Sequence, residues 1–207
     1  MALMAVMAKR LFDLLLSSLG LLVLAPLLLL IALCVKLDSP GPVMFRQERV
    51  GRFGRPFRIH KFRTMRHVVP GQVTQGLQIT VGVDRRITRV GHFLRASKLD
   101  ELPQLLDVWL GDMSLVGPRP EVPRYVAHYP AALREKVLSV RPGITDIASI
   151  EYRDESTVLA HAADPEQAYI HEVLPHKLAL AAQYVDQSSL WLDVRLIART
   201  VAAIVAR

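Results

Sequence analysis

Asp100 and Glu101 are adjacent carboxylates, and shortly after them Arg119 stands between Pro118 and Pro120. Neighbouring carboxylates can hold a divalent ion or attack phosphorus. An arginine on a stiff backbone grips phosphate through two parallel hydrogen bonds at small entropic cost. Together they point to phosphoryl chemistry. Each piece also has a plainer explanation. Ser97 with Asp100 three residues on is close to a capping box, and acids favour the first turn of a helix. A proline-bounded arginine can be a solvent-facing turn. Pro103 is comfortable only in a first turn, so the helix is predicted to start at Leu99 or Asp100. Both carboxylates then meet the positive end of the helix dipole, where a carboxylate pKa falls and phosphate is attracted. Arg141-Pro142-Gly143 repeats the arginine–proline device, and Lys61-Phe62-Arg63-Thr64-Met65 adds two cations. No Walker loop or zinc-ligand spacing competes with this reading.

The elements that must position these residues follow from pattern. The Asp100-Glu101 helix is predicted to stop at Gly111. Upstream, Val43–Phe45 and Pro56–Phe62 read as strands of a hairpin around the Val50–Gly54 turn. Val68 to Val83 is glycine-rich and reads as a loop, and Arg85 to Arg95 as a short helix. Further helices are expected from Glu121 to before Tyr129, from Ala131 to Val140 and from Pro165 to Val185. In the last segment Leu190, Val194, Ile197, Val201 and Ile204 share one side of an amphipathic helix. Such a stripe packs on the domain or, less commonly, lies in a membrane interface. The expected fold is α+β and mostly helical, with a small β-hairpin and amphipathic interfacial helices around a compact catalytic domain.

The 207 residues suffice for one compact domain and an appendage. A net charge of +7 suits an anionic partner such as nucleotide phosphates or an acidic membrane face. Aromatic residues make up only 6% and do not alternate with basic ones, which argues against nucleic acid. Cys34 is the single cysteine, which excludes an internal disulfide and a thiolate metal cluster. Leu14 to Val35 is almost wholly apolar and exceeds the roughly 20 residues that cross a bilayer as a helix. No small-residue cleavage site follows it, and bulky Leu33 before Cys34 does not suit a lipoprotein site. Pro26 falls mid-run and removes a backbone hydrogen bond, so two short helices with a bend near Ala25-Pro26 are predicted. Lys9 and Arg10 precede the run, and Lys36, Arg46, Arg49, Arg52, Arg55 and Arg58 follow it. With both ends basic, the residues alone leave a re-entrant hairpin and a kinked spanning helix both open. Residues 1–37 are read as the membrane segment and 38–207 as the catalytic domain.

Taken in order, five motifs resemble the bacterial sugar transferases, the monotopic phosphoglycosyl transferases. They are Lys9-Arg10-Leu11-Phe12-Asp13, Lys61 to Met65, Leu99 to Leu105, Gly111 to Pro120 and Arg141-Pro142-Gly143-Ile144-Thr145. The resemblance implies transfer of a sugar-1-phosphate from a UDP-sugar to polyprenol (undecaprenyl) phosphate at the cytoplasmic face of the bacterial inner membrane. UMP leaves, and the product starts assembly of an exopolysaccharide, capsule, O-antigen or glycoprotein glycan that downstream glycosyltransferases extend. It implies a re-entrant helix bent at Ala25-Pro26, a Mg²⁺ requirement, Asp100 as nucleophile and Asp100 with Glu101 as metal ligands. Lys61, Arg63, Arg119, Arg141 and Arg153 are the implied phosphate and nucleotide contacts. Two departures stand out. The family bend is often Ser-Pro, and after Thr145 many members continue Gly-Trp-Ala-Gln where this chain has Asp146-Ile147-Ala148-Ser149. The donor sugar is left open, and the chain is similar to the short, minimal members. The competing expectations are a single displacement in which the Asp-Glu pair only binds metal, and a non-catalytic membrane-docked scaffold.

Overall fold

The computed structural model describes residues 2–67, 84–152 and 159–206; Val68–Val83 and Arg153 lie outside them. The apolar segment forms one helix, α1, from Ala2 to Asp38. This differs from the two short helices expected, because Pro26 sits inside α1 without parting it. A proline deletes one backbone bond, and here both flanks are held by packing: Leu21 and Leu24 against one part of the core, Leu27 and Leu28 against another. One side of α1 faces the domain through Asp13, Ser17, Ile31 and Val35, all buried. The opposite side exposes Met4, Met7, Leu11, Leu15, Leu19, Leu22, Leu29, Leu33 and Leu37. The steps of three, four, seven and fourteen residues within these sets are multiples of the helical repeat, so α1 lies lengthwise along the domain.

The hairpin forms as expected, with β1 (Met44–Val50) antiparallel to β2 (Pro56–Phe62) and Lys61 opposite Phe45. Helix α2 (Arg89–Ser97) is capped by Thr88, whose side chain accepts from the Gly91 amide. Lys98 then turns left-handed (φ 59°), and Leu99–Glu101 forms a single 3₁₀ turn before α3 (Gln104–Leu110). The α-helix therefore starts later than expected, with Pro103 at its N-cap. Ser97 does not cap it, because its hydroxyl donates back to the Phe93 and Leu94 carbonyls. Gly111, with φ 98°, ends α3 as expected.

Two motifs that are distant in sequence then pair. Strands β3 (Ser114–Val116) and β4 (Gly143–Thr145) run parallel, Ser114 opposite Gly143 and Val116 opposite Thr145. The Pro118 carbonyl accepts from the Gly143 amide at 3.0 Å. Between them lie α4 (Pro123–Val126) and α5 (Ala131–Val137), and α6 (Ile147–Glu151) follows β4. After α7 (Pro165–Ala168) comes a π turn over Tyr169–Val173, which leads into α8 (Leu174–Gln187). The final helix is α9 (Leu190–Val205). Its apolar stripe lies at the edge of the packed face: Asp193 and Leu196 are buried and Ile197 packs on the core, whereas Leu190, Val194, Val201 and Ile204 are exposed. A buried ionic network explains why the packed side is turned partly away from the stripe. Lys9 bridges Asp13 (3.1 Å) and Asp193 (2.9 Å), and the Tyr184 hydroxyl donates to Asp193. Asp13 also accepts from the Leu115 amide. This network ties α1, β3, α8 and α9 together.

Candidate active site

The 3₁₀ turn places the two carboxylates in unlike surroundings. Glu101 accepts from Lys61 Nζ at 2.9 Å and receives both Arg119 guanidinium nitrogens, one at each oxygen. Burial pushes the Glu101 carboxyl up, but the charges and hydrogen bonds of Arg119 and Lys61 more than reverse this and hold it well below the usual range. Asp100 is 9% exposed, and its Oδ1 has no hydrogen-bond partner among the described residues. Burial, and then the charge of Glu101, push its pKa up against the opposing pull of Lys61, Arg95 and Lys98. The fall expected from a helix dipole is thus overturned: Asp100 lies in a separate turn before α3, and desolvation dominates.

Arg119 is positioned from both sides. Its guanidinium clamps Glu101, and its backbone amide donates to Asp146, which also caps α6 by accepting from Ser149. The β3–β4 pairing and the flanking prolines deliver it to this place. Lys61 arrives from the end of β2, whose His60 amide donates to buried Asp107 on α3 at 2.9 Å. Burial lowers the Lys61 pKa, with Glu101 opposing.

Among the sequence candidates, Asp100, Glu101, Lys61 and Arg119 converge. Arg63 does not join them. Its guanidinium is buried and donates to the carbonyls of Val35, Ser39 and Pro40, closing the C-terminal end of α1. Arg141 is also elsewhere: its Nε donates to the Gly111 carbonyl at the far end of α3. Arg153 falls outside the described residues. Lys98 and Arg95 were missed by sequence reasoning, although both act on Asp100 electrostatically. The signal available was their spacing, since Arg95, Lys98 and Glu101 follow at three-residue steps. Arg49 was missed as well. It begins a second buried ionic group, in which Glu121 meets Arg49 (3.8 Å), Lys177 (3.3 Å) and the Tyr169 hydroxyl.

Next to the Asp-Glu pair opens a cavity of about 310 Å³. Its lining includes the charged Lys98, Glu101 and Arg119 and the aliphatic Leu102, Leu105, Leu115, Ile144, Ile197 and Ile204. Among the described residues, no cluster of three or more His, Cys, Asp or Glu side chains is placed to hold a metal.

The family model for bacterial sugar transferases matches residues 4–207. The chain belongs to the bacterial sugar transferase family. A UDP-glucose:undecaprenyl-phosphate glucose-1-phosphate transferase of Caulobacter vibrioides is 40% identical, over 95% of this chain and 69% of its own length. A transferase of the same description from Escherichia coli K12 is 39% identical, over 93% of this chain and 39% of its own length. A UDP-N-acetylgalactosamine-undecaprenyl-phosphate N-acetylgalactosaminephosphotransferase of Aeromonas hydrophila is 38% identical, over 95% of this chain and 43% of its own length. The chain thus spans about two-fifths of the latter two sugar transferases.

Proposed function

We propose that this bacterial sugar transferase moves a sugar-1-phosphate from a UDP-sugar to undecaprenyl or a similar polyprenol phosphate, releasing UMP and starting a bacterial glycan. The observation that carries the reading is the asymmetry of the pair. Glu101 is saturated by two cations, while Asp100 beside it keeps an unpartnered buried oxygen. A desolvated carboxylate oxygen next to cations is a nucleophile aimed at an anion. In the first step an Asp100 oxygen forms a bond to the β-phosphorus of the UDP-sugar and the anhydride bond to UMP breaks. In the second, a phosphate oxygen of the polyprenol phosphate attacks that phosphorus and Asp100 leaves as carboxylate. Lys61 and Arg119, held by Glu101, supply fixed positive charge where the transferring phosphoryl group spreads its charge. A Mg²⁺ ion, which binds through one or two carboxylates plus phosphates, would take a substrate diphosphate as its main ligand and the second Asp100 oxygen as a further one, leaving the unpartnered oxygen to attack. When bound, Mg²⁺ would offset diphosphate charge; Glu101 would join it only by sharing an oxygen with its cations.

The membrane reading rests on α1. Near its start, Arg10 donates to the Val108 and Trp109 carbonyls; at its end, the Asp38 carboxylate accepts from the Val90 amide. Both ends are therefore held by the same domain, which suits a helix that enters and leaves the cytoplasmic face of the inner membrane. Downstream glycosyltransferases would take the lipid-linked product. The donor sugar stays open, since glucose and N-acetylgalactosamine transferases are about equally similar.

The test is product release from a panel of UDP-sugars with and without polyprenol phosphate. Expected are UMP, and a phospho-sugar on Asp100 detectable by mass spectrometry without acceptor. Release of UDP overturns the assignment. UMP that appears only with acceptor, with no adduct, leaves a single displacement instead. Full transfer by Asp100→Asn leaves a scaffold.

A further inference from the structure

The cavity beside Glu101 has a composition that the donor substrate does not explain. A uracil or a sugar needs several hydrogen-bonding walls. Here the walls are mostly aliphatic, and the hydroxyls of Thr145 and Thr200 are bonded to each other at 2.7 Å. Ser149 Oγ has no partner among the described residues and is the one hydroxyl left to serve a ligand there. The lining is of two kinds. Lys98 and the paired Glu101 and Arg119 are charged, whereas Leu16 of α1 and Val201 and Ile204 of α9 are exposed apolar side chains. The cavity joins the charged site to the apolar outer surface of the molecule.

We propose that this cavity receives the first isoprenoid units of the polyprenol phosphate, with α9 as the wall that grips them and Lys98 and Arg119 marking the end for the phosphate. The assignment rests on the transferase reading and adds the place of the acceptor's tail. Charge complementarity selects this occupant: an apolar chain with an anionic head matches a mostly aliphatic lining that also carries Lys98 and Arg119. The volume holds a few isoprenoid units and no more, so the rest of the tail stays in lipid along the exposed side of α1. The turned packing of α9 now has a use, because burying Asp193 sets Val201 and Ile204 at the cavity.

The experiment measures the acceptor KM for prenyl phosphates of one to eleven isoprenoid units, in the unaltered protein and in Val201→Trp. In the unaltered protein KM is expected to fall about tenfold over the first three or four units and then level off. In Val201→Trp that fall shrinks to less than threefold, while the KM for UDP-sugar moves less than twofold. A KM with no dependence on the first units, or equal rises for both substrates in the variant, overturns the proposal. A second measurement needs no variant. A prenyl phosphate with a photoreactive group in its second unit should label residues 197–204, and unlabelled prenyl phosphate should suppress this while phosphatidic acid vesicles do not. Labelling confined to α1, or suppression by phosphatidic acid alone, which would assign the cavity to a bilayer lipid, sinks it. Absence of UMP release from every UDP-sugar would instead strike the transferase reading, and the labelling result would still stand.

Discussion

At the scale of the residue, the site turns on two neighbours driven in opposite directions. Asp100 titrates above an ordinary aspartate because it is buried beside Glu101. A carboxyl whose folded pKa is raised contributes stability below its unfolded pKa and loses it as pH rises through the folded value. At neutral pH the ionised Asp100 is therefore a cost to the fold. Asp100→Asn should abolish transfer, by at least a thousandfold in kcat, yet raise thermal stability by about 0.5–2 kcal/mol in chemical or thermal unfolding. The same shift sets the acid side of the rate profile. A nucleophile must be ionised, so activity falls, with decreasing pH, earlier than an ordinary aspartate would dictate. In Glu101→Gln the negative neighbour is gone and its cations remain, which lowers the Asp100 pKa. The acid limb of the residual activity should then move to lower pH; a limb that stays or moves upward would assign it to another group.

At the scale of the element, the motifs explain one another through contacts that spacing alone does not reveal. Gly143 is a glycine because a Cβ there would overlap the backbone of Gly117, where β4 passes the start of the Pro118-Arg119-Pro120 segment. Gly143→Ala should cost about 3 kcal/mol in urea unfolding and displace Arg119. Arg63 divides a structural role from a catalytic one. Arg63→Lys keeps the charge but loses most of the bonds to the Val35, Ser39 and Pro40 carbonyls. About 2–3 kcal/mol of stability should go, with the KM for UDP-sugar within twofold of the unaltered value. A tenfold KM rise without loss of stability would restore it to the phosphate contacts. These cases mark what was legible. The β-hairpin, the stop at Gly111 and the Asp100–Glu101–Arg119 grouping carry local signals of alternation, turn residues and stiffened backbone. The β3–β4 pair escaped because three-residue strands have too short a period to read, and their pairing is long-range. The α9 stripe was legible, but which side packs was not, because amphipathicity assumes that carboxylates face water. Asp193 instead finds Lys9 and Tyr184 inside.

At the scale of the whole molecule, the decisive fact is how α1 is fastened. A helix of 37 residues is about 55 Å long if straight, well beyond the ~30 Å apolar core of a bilayer. Polar ties occur at both ends and also at Asp13, which the Leu115 amide and Lys9 hold inside the domain. A transmembrane course would carry the Lys9–Asp13–Asp193 network to the opposite face from the Arg63 and Val90 ties, and the domain would have to cross with it. Placing both ends on the cytoplasmic face leaves every one of these bonds intact, with the exposed leucine side of α1 in lipid. Cys34 is the single cysteine, so after its replacement by serine single cysteines at positions 4 and 40 can report on each end. In sealed, right-side-out spheroplasts neither should react with a membrane-impermeant maleimide, and in inverted vesicles both should. Reaction of Met4→Cys from the outside with Pro40→Cys reacting from the inside would establish a spanning helix, and the fastening of Arg10 to α3 would then have to break in the membrane.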